Sequence, residues 1–108
     1  MWNILLFETN RGEKPVKQFI RKLSKPAIAK IIRTINLLEK YGTFLNMPHA
    51  KKIADNLYEL RTRGTPDVRI FYMFKGKDIY LLHAFQKKSQ KTPTNELKIA
   101  LLRQRLLT

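Results

Sequence analysis

The sequence contains no cysteine, which excludes disulfides and thiolate metal sites and suits a reducing compartment. Histidine is nearly as scarce. His49 and His83 are the only two, they lie far apart, and nothing around them has metal-motif spacing. No metal and no cofactor is therefore expected. His83 lies among Leu81 and Phe85 at strand alternation and reads as a satisfied, partly buried histidine. Glycine occurs four times and always singly, so no glycine-rich phosphate loop can form. Ser24 and Ser89 lack any nucleophile context. Long apolar runs are missing too. The opening "MWNILLFETN" is apolar for only a few residues and has neither a leading basic segment nor a small-residue cleavage site. The expectation is a cytoplasmic protein with no membrane span and no export signal.

Negative charge is the most conspicuous shortage. Eight Asp and Glu stand against 22 Lys and Arg, a formal net charge of +14. Like charge at this density repels itself in the compact state. A polyanionic partner accounts for it, whether RNA, DNA, an acidic protein or an anionic membrane. A generally basic surface is the plainer alternative. With 44% hydrophobic residues over 108, the chain suits a single domain, 1–108, with one real core.

The apolar pattern divides the chain into elements. Residues 2–8 form a short β-prone run. Pro15 suits the first turn of a helix whose apolar positions are Val16, Phe19, Ile20 and Leu23. Ser24 is placed to cap a second helix, with Pro26 in its first turn and Gly42 at its end. Its stripe runs through Ile28, Ile31, Ile32, Ile35 and Leu38. Residues 43–56 read as a loop with at most one helical turn. Strands follow at 57–63, 68–75 and 78–86, then an amphipathic helix with Thr94 as its cap and Glu96 favoured by its dipole. The order β-α-α-β-β-β-α predicts an α+β fold: two N-terminal helices on a mostly antiparallel four-stranded sheet, with a C-terminal helix.

Strand alternation sorts the arginines. Glu59, Arg61 and Arg63 share one face of their strand, and Arg69, Phe71 and Met73 share the matching face of the next. Val68, Ile70, Tyr72 and Phe74 take the opposite, helix-covered face. Lys87 and Lys88 follow the neighbouring strand and converge on the same region. Such a cluster makes a phosphate clamp, with Arg as a fork and Lys as a mobile point charge. A cross-strand ion-pair ladder of Glu59, Arg61 and Arg69 is the alternative. Phe71, Tyr72 and Phe85 are either a stacking surface for bases or part of the core.

"LYELR", then "VRIFY", then "IYLLHAFQKKSQKTP" resemble the HigB-like, phage-derived branch of the RelE/ParE toxin superfamily. The similarity covers nearly the whole chain, and the run F-x-K-K-x-x-K-T-P before the last helix is its most specific part. The resemblance implies the toxin of a type II toxin–antitoxin system: an mRNA interferase acting on mRNA at the ribosome, neutralised by a helix-turn-helix, HigA-like antitoxin. ParE relatives poison DNA gyrase instead, so fold alone leaves a gyrase poison or a non-enzymatic nucleic-acid binder as alternatives.

By matching positions, Arg69 corresponds to the arginine most often essential in RNA-cleaving relatives. Arg61 ends its strand as a basic residue does there, and Lys87 and Lys88 fall on a basic pair. Two positions depart from the pattern. RelE has lysines for acid–base work where this chain has Leu57 and Glu59, and a tyrosine in its last helix where this chain has none after Tyr80. The resulting expectation is metal-independent transesterification. Arg69 would stabilise the phosphorane charge, with Arg61 in support. Lys87 or Lys88 would hold the phosphate or protonate the leaving oxygen. Glu59 would be the base or would orient Arg69. Arg63, Lys51, Lys52 and Lys91 would bind flanking RNA.

Overall fold

A computed structural model describes residues 1–91 and 93–108. Thr92, part of the KTP run, lies outside the described residues. Strand β1 (Asn3–Leu6) is followed by helices α1 (Pro15–Arg21) and α2 (Lys25–Tyr41). Then come strands β2 (Ala50–Ala54), β3 (Leu57–Thr62), β4 (Val68–Lys75) and β5 (Asp78–Gln86), and helix α3 (Thr94–Leu107). The sheet has five strands in the order β1-β5-β4-β3-β2. Only β1 pairs in parallel, with β5; the other pairings are antiparallel. The fold is thus α+β, as the pattern predicts, with one strand more than expected.

The extra strand is β2, where a loop is the sequence expectation. Its residues, AKKIA, include two lysines and two alanines, all weak strand formers. It forms because β3 offers an unpaired edge, and its backbone pairs Ala50 with Leu60 and Lys51 with Glu59. Lysines on an outer strand also discourage further pairing.

Helix α2 starts as expected: the Ser24 hydroxyl accepts a hydrogen bond from the Ala27 N–H at 3.3 Å. Its buried stripe is Ala27, Ile31, Thr34 and Leu38. Ile32, expected on that stripe, is about half exposed, because it is rotated some 100° from Ile31. Thr34 tolerates burial because its hydroxyl donates to the Lys30 carbonyl at 3.0 Å. Thr94 is not a cap; it is the first residue of α3, and Pro93 precedes the helix without any side-chain cap bond.

Gly42 ends α2 with φ at +51°, and a Cβ there would run into the Trp2 indole. Gly42→Ala is therefore expected to cost about 1–3 kcal/mol, from overpacking against Trp2 and a disfavoured φ, read as a lower melting temperature of the purified variant.

Two cores flank the sheet. Leu60, Val68, Ile70, Tyr72, Ile79 and Leu81 pack with Val16, Ile31 and Leu38 of α1 and α2. Leu57, Phe71, Met73, Leu82 and Phe85 pack with Ala100 of α3. Phe71, Tyr72 and Phe85 are all buried, so they belong to the cores and offer no stacking surface for bases. A bulge separates the pairs Phe71–His83 and Tyr72–Leu81 and leaves Leu82 as the extra residue. It brings His83 to the α3 side with Phe85, so His83 does not share a face with Leu81 as simple alternation predicts.

Candidate active cleft

Glu59 lies on β3, and Arg61 and Arg69 face each other directly across β3 and β4. Two cations in that register repel unless an anion lies between them. Glu59 supplies it: its Oε1 accepts from Arg61 Nε and from Arg69 Nη1, both at 3.1 Å. Glu59 is 1% exposed, and the Arg69 and Arg61 side chains 6% and 11%, so the cross-strand ion-pair array given as the alternative does form, but buried rather than on the surface.

A second carboxylate completes the arrangement. Asp67 Oδ1 accepts from Arg69 Nε at 3.0 Å, and Oδ2 from Nη2 at 3.2 Å, a fork-on-fork pair. Burial works against the Arg69 charge. The hydrogen bonds and charge of Asp67, and then those of Glu59, outweigh it and hold the guanidinium above its ordinary pKa. Three of the five guanidinium N–H donors are thereby engaged, and the remaining two have no partner among the described residues. The chain is locked at this point: the Lys87 N–H donates to the Asp67 carbonyl at 2.8 Å, extending the β4–β5 ladder past its last paired residues.

Around this point an open cleft of about 490 Å³ is lined by Arg63, Asp67, Arg69, Lys87, Lys88, Ser89 and Gln90. Four candidate residues therefore meet: Arg63, Arg69, Lys87 and Lys88. The others do not line the cleft. Glu59 sits beneath it, sealed by two arginines. Arg61 lies behind, with Nη1 at 3.5 Å from Met47 Sδ. Lys51 and Lys52 are exposed on β2, opposite Glu59 and Tyr58 respectively, so alternation points them to opposite faces. Lys91 is exposed beyond the cleft.

Asp67 is the residue that sequence reasoning missed. Asp67 shares this face with Glu59 and is the more accessible of the two, its side chain 32% exposed. The signal was present in "TPDVR", where Asp67 stands two residues before Arg69, but the turn residues around it masked the alternation.

His83 is tied to α3. Its Nε2 lies 2.9 Å from Glu96 Oε1, and Arg103 Nη1 approaches its Nδ1 at 3.2 Å while donating to the Leu82 carbonyl at 2.9 Å. Arg103 can only donate, so Nδ1 accepts and Nε2 carries the proton toward Glu96. Burial pushes Arg103 below its ordinary pKa. These contacts dock α3 on β5 and leave His83 out of the cleft. Among the described residues no three His, Asp or Glu side chains come together as a metal site, and no helix is long and apolar enough to cross a membrane.

Residues 18–105 match the family model described as "Phage derived protein Gp49-like (DUF891)". The chain belongs to the Gp49-like family. That membership makes it a RelE-like toxin-family protein. A search of curated proteins gave no match. The matched span of this Gp49-like chain runs from within α1 into α3 and contains every residue lining the cleft, while β1 lies outside it.

Proposed function

We propose that this Gp49-like chain is the toxin of a type II pair of the HigB-like branch, and that it cleaves mRNA on the ribosome without a metal. The observation that carries this reading is Arg69, held by two carboxylates with two N–H donors unpartnered among the described residues, in a cleft also edged by Arg63, Lys87 and Lys88. In the reaction the ribose 2′-oxygen attacks the adjacent phosphorus and the bond to the 5′-oxygen breaks. The products are a 2′,3′-cyclic phosphate and a 5′-hydroxyl. Arg69 stabilises the charge that develops on the phosphorane oxygens. Lys87 and Lys88 hold the phosphate, and one of them gives a proton to the leaving 5′-oxygen. Asp67, the one carboxylate lining the cleft, takes the proton of the 2′-hydroxyl. Glu59 and Arg61 act through Arg69 as positioning residues. A helix-turn-helix antitoxin is the protein partner in this reading.

Cleavage is expected to persist in EDTA, because protein cations supply the charge stabilisation that a metal would otherwise give. The measurement is cleavage of free, metal-stripped RNA by purified protein, with ribosomes assayed separately because they need Mg²⁺ for integrity. Loss of cleavage in EDTA that one transition metal restores would sink the mechanism. Primer extension on cellular mRNA after induction tests the activity itself. Discrete cuts support it, whereas intact mRNA with a DNA-damage response would favour a gyrase poison.

A further inference from the structure

A second cavity of about 380 Å³ lies between α2, the residues just before β2 and the end of β3. Lys30 and Arg33 of α2 stand on one side and Arg63 on the other, while Leu37, Pro48 and His49 also line it. None of its lining residues is acidic. Lys30, Arg33 and Arg63 are exposed and make no ion pair among the described residues. Arg63 also lines the active cleft, so the two cavities share a wall. Lys30 bridges the same boundary: its Nζ lies 3.2 Å from where a Cβ on Gly64 would stand, in the turn after Arg63.

Apolar lining beside unpaired cations matches the two halves of a nucleotide. The base is planar and largely apolar on its faces, and its phosphate carries the charge. A protein segment rich in carboxylates would use the cations and leave the apolar wall unused. We infer that this second cavity is a nucleotide subsite for the RNA strand leaving the active cleft, with phosphate on Lys30, Arg33 and Arg63 and a base against Leu37 and Pro48. The inference rests on the RNA reading proposed above and extends it to α2, outside the hairpin that carries Arg69.

The test is binding of uncleavable 2′-O-methyl RNA by fluorescence anisotropy, with a tetranucleotide, a decanucleotide and an abasic decamer of equal charge. The variant is Lys30→Ala with Arg33→Ala, both exposed helix positions where alanine preserves the fold. It is expected to bind the decanucleotide about tenfold more weakly, with a salt slope smaller by about 1.4, the sum of two single-strand phosphate contacts. Binding of the tetranucleotide should change little. The wild-type chain should prefer the decanucleotide over the abasic decamer several-fold, and the variant should lose that preference. Unchanged affinity and salt slope in the variant would overturn the subsite, and so would equal wild-type binding of the abasic strand. A glutamate-rich peptide that binds the cavity more tightly than the decanucleotide, in a Lys30- and Arg33-dependent way, would assign it to an acidic protein and overturn it too. No cleavage is read in this assay. A chain that never cuts RNA would sink the proposed reaction and leave the subsite standing, and cleavage with unaltered binding by the variant would do the reverse.

Discussion

Arg69→Ala is expected to abolish growth arrest on induction, with cleavage reduced on the order of 100- to 1000-fold, the usual cost of losing a preorganised donor to a developing oxyanion. Strand alternation alone suggests that this change leaves the fold intact, since Arg69 lies opposite the apolar face of β4. The structure argues otherwise. The Arg69 side chain is 6% exposed and neutralises Glu59, which is 1% exposed. Breaking a buried charge pair from one side costs about 3–5 kcal/mol. Arg61 still donates to the same Glu59 oxygen, so the loss should fall below that range.

Inactivity of the single variant would therefore be ambiguous. Combining Arg69→Ala with Glu59→Gln removes the stranded charge. This double variant should regain much of the melting temperature and remain inactive. Arg69→Lys should restore only part of the activity, because a point charge reproduces neither the fork on Asp67 nor the donors kept for phosphate. A double variant that melts like the wild type and still arrests growth would make Arg69 purely structural and the cleft assignment wrong.

Asp67→Asn should separate chemistry from stability more cleanly. If Asp67 accepts the 2′-hydroxyl proton, cleavage should drop about 10²- to 10⁴-fold, the range for a general base. Asn retains an oxygen for one of the two Arg69 bonds but cannot accept the second. Asp67 is 32% exposed but its partner Arg69 only 6%, so weakening this pair should cost on the order of 1–3 kcal/mol, which melting reads separately from the rate. Glu59→Gln provides the contrast, since it leaves the cleft carboxylate in place and removes the anion between Arg61 and Arg69 beneath the cleft. Its cleavage should fall much less than that of Asp67→Asn. Primer extension on ribosome-bound mRNA, run beside thermal melting, reads both. Wild-type cleavage rates in Asp67→Asn would remove Asp67 as the proton acceptor.

The elements legible in the sequence were those whose apolar period is strong and local. Val68 to Lys75 and Asp78 to Gln86 are strands with the expected limits, and Ser24 and Gly42 bound α2 as their chemistry requires. Alternation also assigned the two faces of β4 correctly, because one face meets α1 and α2 and the other meets α3. Arg63, Arg69, Lys87 and Lys88 were legible as a group because neighbouring strand ends bring them together: period two places Arg69, and the other three lie just past the ends of β3 and β5.

Tertiary structure decided whatever depends on a neighbour from another part of the chain. The strand AKKIA exists because β3 exposes an edge, and no local preference announces it. His83 changes sides because Leu82 is extruded as a bulge, which breaks the alternation that its sequence position implies. Above all, the roles of the two carboxylates depend on burial. By residue type Glu59 and Asp67 are equivalent, and both stand two residues from an arginine. Burial on β3 seals Glu59 between Arg61 and Arg69, while Asp67, one residue before β4 begins, stays at the mouth of the cleft. Charge and strand period, which are properties of the sequence, marked this face as a candidate for an anion. Desolvation, a property of the folded surroundings, separated the carboxylate sealed beneath the arginine from the one that holds it at the mouth of the cleft.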